Sequence, residues 1–258
     1  MRYVAVGDSF TEGLGDVYPD GRERGWADLL AHGIATATGS PIQYANLAIR
    51  GRKLRPIMVE QIDAALALNP LPTMITINGG GNDMLRARMD IAPAIELTEQ
   101  AVRRCVEAGI HVVLLSGPDP SRGLPFGKAI SARGIALTEA TRDLIERYPI
   151  TFVDNYSDEE TRRGGYWSED RLHLNTAGHM RTAWRMLTAL GYNPPFALPH
   201  PEEPMPPSIA GSANCGAGFP IKAEGSFCGS PLKRRTRNRP ASATKKASGR
   251  MASQGIRR

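Results

Sequence analysis

Residues 1–16 read MRYVAVGDSFTEGLGD, and the fold turns on how residues 3–7 and Ser9 are read. Tyr3, Val4, Ala5 and Val6 make a short apolar run closed by Gly7. That is the pattern of a strand buried in a sheet. Ser9 follows at once, between Asp8 and Phe10, with glycines at 7, 13 and 15. A serine in such a place ordinarily forms a turn or caps a helix. A serine that acts as a nucleophile needs more: a base, a carboxylate to orient the base, and donors for an oxyanion. Those partners must come from elsewhere in the chain.

Four further segments read as buried strands: IQYANLAI (42–49), TMITIN (73–78), HVVLLSG (111–117) and ITFVDN (150–155). Each is rich in Val, Ile or Thr and ends in turn residues. Between them the apolar residues take helical spacing. Trp26, Leu29, Leu30, Ile34 and Ala37 suit one helix face; Met58, Ile62, Ala65 and Leu66 suit another that ends by Pro70. Residues 95–108, 130–148 and 176–190 predict three more helices. Strands alternating with helices predict an α/β fold with a parallel sheet and right-handed crossovers. The carboxyl ends of parallel strands share one edge. Ser9, the pair Asn46 and Gly51, and GGGND (79–83) all follow strands and meet there, where open α/β sheets bind ligands.

The base belongs at the same edge. Of five histidines, His173 stands out in SEDRLHLNTAGH (168–179), with Asp170 three residues before it. A carboxylate at that spacing can accept the imidazole Nδ1–H, leaving Nε2 free to take the proton of Ser9. Candidate oxyanion donors are the Ser9 N–H, the Gly51 N–H and the Asn82 side-chain amide. Asp8 reads as structural, Asp83 as holding its turn, and His179 as a packing or hydrogen-bonding histidine. No metal-ligand spacing is present and no cofactor is expected. GGGND lacks a following GK[ST], and the glycines around Ser9 do not spell a dinucleotide fingerprint. IRGRKLR (49–55) reads as a solvated helix start; the sharper reading has Arg52 attracting an anionic part of a substrate. Tyr166 and Trp167 are core aromatics or else line an acyl pocket.

GDSF (7–10), Asn46 with Gly51, GGND (80–83) and DRLH (170–173) resemble, in order, the four sequence blocks of the SGNH hydrolases, the GDSL esterase/lipase family. The resemblance spans residues 1–192. It implies a flavodoxin-like three-layer α/β/α sandwich around a five-stranded parallel sheet. It also implies that Ser9 is the nucleophile, His173 the base and Asp170 its orienting acid, with Ser9, Gly51 and Asn82 forming the oxyanion hole. The implied reaction is cleavage of carboxylic esters through an acyl-enzyme, on short-chain, lipid or sugar esters. Phe10 replaces the leucine of the family name, and Ala48 stands where glycine is frequent.

The remaining features bound the reading. The chain has 258 residues, enough for a domain at 1–195 followed by a tail at 196–258. The tail is rich in Pro and Gly, then basic, and reads as disordered. Residues 201–258 carry 11 Lys and Arg against 3 acidic residues; residues 1–200 carry 21 against 23. The net charge of +6 is thus a property of the tail. Its basicity suggests, as a second function class, contact with nucleic acid or an anionic surface. Phe219 and Phe227 are its only aromatics from 201 onward, so base stacking is not indicated. No apolar run of about 18 residues predicts a membrane span, and residues 1–16 lack a signal-peptide pattern. A cytoplasmic protein is expected, in keeping with three widely spaced cysteines, Cys105, Cys215 and Cys228.

Overall fold

In the computed structural model, residues 1–86, 89–198 and 200–201 are described. The first apolar run forms β1 (Arg2–Val6), and Ser9 begins a one-turn helix, α1 (Ser9–Glu12). There follow α2 (Trp26–Thr38), β2 (Gln43–Asn46), α3 (Leu54–Pro56), a π-helical turn (Ile57–Gln61) and α4 (Ile62–Leu66). Next come β3 (Met74–Ile77), α5 (Gly81–Met84), α6 (Ile91–Glu107) and β4 (His111–Leu115). The chain continues with α7 (Gly127–Arg142), β5 (Thr151–Val153) and α8 (Thr176–Ala189). The five strands are all parallel, in the order β2-β1-β3-β4-β5. This is the flavodoxin-like winding, and the order reverses between β1 and β3.

Period-two alternation sends the side chains of each strand to opposite faces. Tyr3, Ala5, Met74, Val113 and Leu115 pack with Trp26, Leu30 and Ile34 of α2 and with Met180, Ala183 and Leu187 of α8. Val4, Val6, Ile75, Ile77, Val112 and Leu114 pack on the other face. Their partners there are Ile57, Ile62 and, from α6, Val102 and Cys105. Both faces are therefore covered, which is why these strands read as unbroken apolar runs. Each aliphatic side chain so buried contributes roughly 1.5–3 kcal/mol relative to exposure.

The expected helices are present, with differences at their ends. Ala37 is exposed in the last turn of α2 rather than on its buried face. The strand expected over 42–49 keeps ladder pairing only at Gln43–Asn46, but its extension still follows β1: Leu47 N–H donates to the Ala5 carbonyl and Ile49 N–H to that of Gly7. Among the described residues no helix is long and apolar enough to cross a membrane. Beyond the expected boundary at 195, Phe196 is half-buried against the α2–α8 core and Pro201 lies against Gly165. The rest of the expected tail, with Cys215, Cys228 and the basic run, lies outside the described residues.

Candidate active site

Ser9 and residues 79–83 stand at the carboxyl ends of β1 and β3, on either side of the reversal in strand order. Asp8 caps α1: its Oδ1 accepts the Phe10 N–H at 3.1 Å. Gly13 ends the turn in the left-handed region (φ 105°), its N–H donating to the Ser9 carbonyl. Gly15, also left-handed at φ 96°, approaches the loop that carries Asp170 and His173. A Cβ there would lie 1.9 Å from the Leu174 carbonyl oxygen, so only glycine fits. That loop is folded on itself: Ser168 N–H donates to the His173 carbonyl at 2.8 Å, and Ser168 Oγ to the Leu174 carbonyl at 3.1 Å.

The two loops bring three side chains into one relay. Ser9 Oγ lies 3.0 Å from His173 Nε2, and His173 Nδ1 lies 2.6 Å from Asp170 Oδ2. The carboxylate only accepts, so Nδ1 carries the proton and Nε2 faces Ser9 as an acceptor. Asp170 is itself fixed, its Oδ1 accepting the N–H groups of Leu172 (2.9 Å) and His173 (3.0 Å). Burial opposes its ionisation, but hydrogen bonds from the His173 backbone and imidazole and from Leu172 outweigh it. The carboxyl is held below its ordinary range.

Asn82, in α5, borders the same cleft. Its amide nitrogen donates to the Arg52 carbonyl at 2.9 Å and to Asp8 Oδ2 at 3.2 Å. Asp83 fastens α5 to the next element, accepting the Leu54 N–H at 2.8 Å. From Ser9 and His173 the cleft runs inward between apolar walls that include Leu54, Met58, Met84, Leu137 and Tyr156, enclosing ≈ 110 Å³. Asp8 is buried beside it, and that burial pushes its carboxyl up to about 6, against the Phe10 N–H and the nearby His173.

Four expected site residues stand elsewhere. Gly51 occupies an exposed turn at φ 74°, next to the Arg52 carbonyl that holds Asn82, and is not among the described residues lining the cleft. The Arg52 guanidinium turns outward to Glu60, 3.3 Å away, so this residue serves Asn82 through its backbone. Arg50, its neighbour in the basic run, pairs with Glu12 and Glu23. Tyr166 is buried with its hydroxyl donating to Glu160, and Trp167 Nε1–H donates to the Thr161 carbonyl. Asn175 N–H donates to the Tyr166 carbonyl, and Trp167 bridges to Leu174. The two aromatics thus brace the Asp170–His173 loop and do not line the cleft. His179, fully buried, accepts the Trp26 N–H at Nδ1 and donates from Nε2 to the Leu14 carbonyl.

Among the buried polar residues near the site that were not anticipated is Gln61. Gln61 shares the apolar stripe of Met58, Ile62 and Ala65, and its amide meets the Gly7 backbone. A glutamine on an otherwise apolar stripe was the signal available in the sequence.

Solved structures share this fold. A lipase from a goat rumen metagenome is 20% identical, with 75% of this chain and 98% of that chain covered at a TM-score of 0.62. An acetylxylan esterase from Geobacillus stearothermophilus is 17% identical, with 74% and 94% covered at 0.63. A lipase/acylhydrolase from Enterococcus faecalis is 19% identical, with 76% and 99% covered at 0.57. A comparison with curated proteins finds no match. The model of the GDSL-like lipase/acylhydrolase family matches residues 5–181, a span that begins in β1 and runs past both Ser9 and His173 into α8. With most of the sheet and the whole relay inside that span, the chain belongs to the GDSL-like lipase/acylhydrolase family and is a carboxylic ester hydrolase.

Proposed function

We propose that ester cleavage proceeds through an acyl-enzyme on Ser9. The Ser9 hydroxyl gives its proton to His173 Nε2 as Oγ attacks the ester carbonyl carbon. Asp170 stabilises the imidazolium that forms. The tetrahedral intermediate collapses as His173 returns the proton to the leaving alkoxide. Water then attacks the acyl group, with His173 as base, and Ser9 recovers its proton. The Ser9 N–H and the Asn82 amide are the donors for the oxyanion, each worth about 2.7–4 kcal/mol where such donors act; Gly51, expected as a third, stands outside the residues that line the cleft. Both Asn82 amide protons already have protein acceptors, so Asn82 serves by sharing one of them with the oxyanion.

The observation that carries this reading is the relay itself, 3.0 Å from serine to imidazole and 2.6 Å from imidazole to carboxylate. The apolar walls of the cleft beside it suit an acyl chain, and short-chain esters are the proposed substrates. The fold neighbours include a lipase and an acetylxylan esterase, so lipid and sugar esters belong in the substrate screen. The alternative reading, basic-tail contact with nucleic acid or an anionic surface, has no support here, since residues 202–258 lie outside the described residues.

The test is hydrolysis of p-nitrophenyl acetate and butyrate by wild type, Ser9→Ala and His173→Ala. Loss of roughly 10³-fold or more in kcat is expected in both variants with folding intact. A fluorophosphonate probe should label wild type and spare Ser9→Ala. Full activity in a folded Ser9→Ala protein would overturn the assignment.

A further inference from the structure

We propose that Gln61 is a positioning residue for the nucleophile, holding the peptide groups on both sides of the Gly7 Cα and thereby fixing where Ser9 stands. The inference rests on the reading of Ser9 as nucleophile. Gln61 closes the π-helical turn and is buried. Its Oε1 accepts the Gly7 N–H at 2.7 Å, and its Nε2–H donates to the Gly7 carbonyl at 2.9 Å. A primary amide is the side chain that can give and accept at once in this way.

The location explains the need. β1 ends at Val6, and Gly7 joins it to the capped turn that carries Ser9. β1 and β3 still pair at Val6 and Ile77, with the Asn78 N–H on the Val6 carbonyl, so Gly7 lies just past the ordered ladder. Its carbonyl also takes the Ile49 N–H at 3.2 Å, whereas its N–H is given to Gln61. Nor can the turn be tied down by a side chain at this position. A Cβ on Gly7 would lie 2.3 Å from Thr11 Oγ1, and Thr11 is fully buried. The backbone at Gly7 is therefore held from outside by Gln61, and the next residue, Asp8, is held by its own cap. Displacing a reacting group by about 1 Å can cost 10²-fold in rate. π-helical turns recur at functional sites, and this one delivers its last residue to the nucleophile turn.

The test compares Gln61→Met, similar in length without either hydrogen bond, and Gln61→Glu, on p-nitrophenyl butyrate well below the unfolding midpoint. For Gln61→Met, kcat per folded enzyme should fall 10–100-fold with KM within about two-fold. A purely structural role would lower the unfolding midpoint and leave kcat per folded enzyme unchanged. Gln61→Glu adds a pH signature. Protonated glutamic acid can accept the Gly7 N–H and donate to its carbonyl; ionised glutamate can only accept. The ratio of variant to wild-type kcat should therefore rise as pH falls. Should Gln61→Met not fold, that ratio decides alone. Wild-type kcat in Gln61→Met overturns the proposal, and so does a ratio that stays near one in Gln61→Glu at pH values where the introduced carboxyl is ionised, as read by its infrared carboxylate band. A Ser9→Ala protein that stays active and is still labelled by the fluorophosphonate would instead overturn the reading of Ser9 beneath it.

Discussion

Asp8 shows how one side chain couples the nucleophile turn to a candidate oxyanion donor. Its Oδ1 caps α1 and its Oδ2 accepts from the Asn82 amide, both in a buried position. Burial raises its carboxyl to about 6 from 3.8. A folded-state value above the unfolded one means that Asp8 contributes stability fully below about pH 4 and loses it as pH rises through about 6. The difference is on the order of 3 kcal/mol. Asp8→Asn removes the titration and keeps an acceptor for Phe10, but turns an N–H₂ group toward the Asn82 donor. In urea unfolding between pH 4 and 7, wild type should lose stability relative to Asp8→Asn across that window. A constant difference between the two would show that Asp8 does not titrate there. The same variant should lose about 10-fold in kcat, because Asn82 loses one of its two holders.

At the scale of elements, single turns and loops orient the site while the long helices pack the sheet. His179 is the main tie among them, linking α8 to the first residue of α2 and to the loop after α1. His179→Ala strands the Trp26 N–H and the Leu14 carbonyl in the interior and opens a cavity, at a cost of about 3 kcal/mol. His179→Gln, which can still accept and donate, should recover part of that. Burial lowers the imidazole from 6.5, and its acceptor role at Nδ1 requires the neutral form. Its stabilising contribution is therefore present above about 6.5 and lost as pH falls through the lowered value, opposite in sign to Asp8. Thermal unfolding from pH 7 to 5 should show wild type losing more than His179→Gln; equal losses would rule out His179 as the group responsible. The long elements were legible because Leu30, Ile34, Ile75 and Val112 repeat at helix or strand period on buried faces. The one-turn helices α1 and α5 were not, since four residues carry no period. The sequence leaves Tyr166 and Trp167 between packing and a cleft role for a related reason: the path of residues 156–175 is set by side-chain hydrogen bonds that leave no pattern in the sequence.

For the whole molecule, the reversal of strand order gathers loops distant in sequence into one cleft, and among the described residues none after α8 lines it. The fold neighbours span about three quarters of this chain while nearly all of their own lengths are covered, and the family match ends at 181. The last described contacts are those of Phe196 with the α2–α8 core and of Pro201 with Gly165, in the segment just before the Asp170–His173 loop. A chain ending at 201 keeps both contacts. It should hydrolyse p-nitrophenyl butyrate with kcat/KM within two-fold of the full chain and unfold at the same temperature. A chain ending at 193 loses both. Re-exposing a half-buried Phe costs about 1 kcal/mol, which for a domain of this size lowers the unfolding midpoint by roughly 2–4 °C. Its kcat should fall more than that of the longer form, because Pro201 supports the segment leading to His173. The charge balance adds a separate readout, since residues 201–258 hold 11 Lys and Arg against 3 acidic residues. Salt-sensitive retention on heparin should therefore vanish in the chain ending at 201 while esterase activity persists. Loss of activity together with heparin binding would mean that the basic segment contributes to the active site, and that the catalytic unit extends beyond the boundary drawn here.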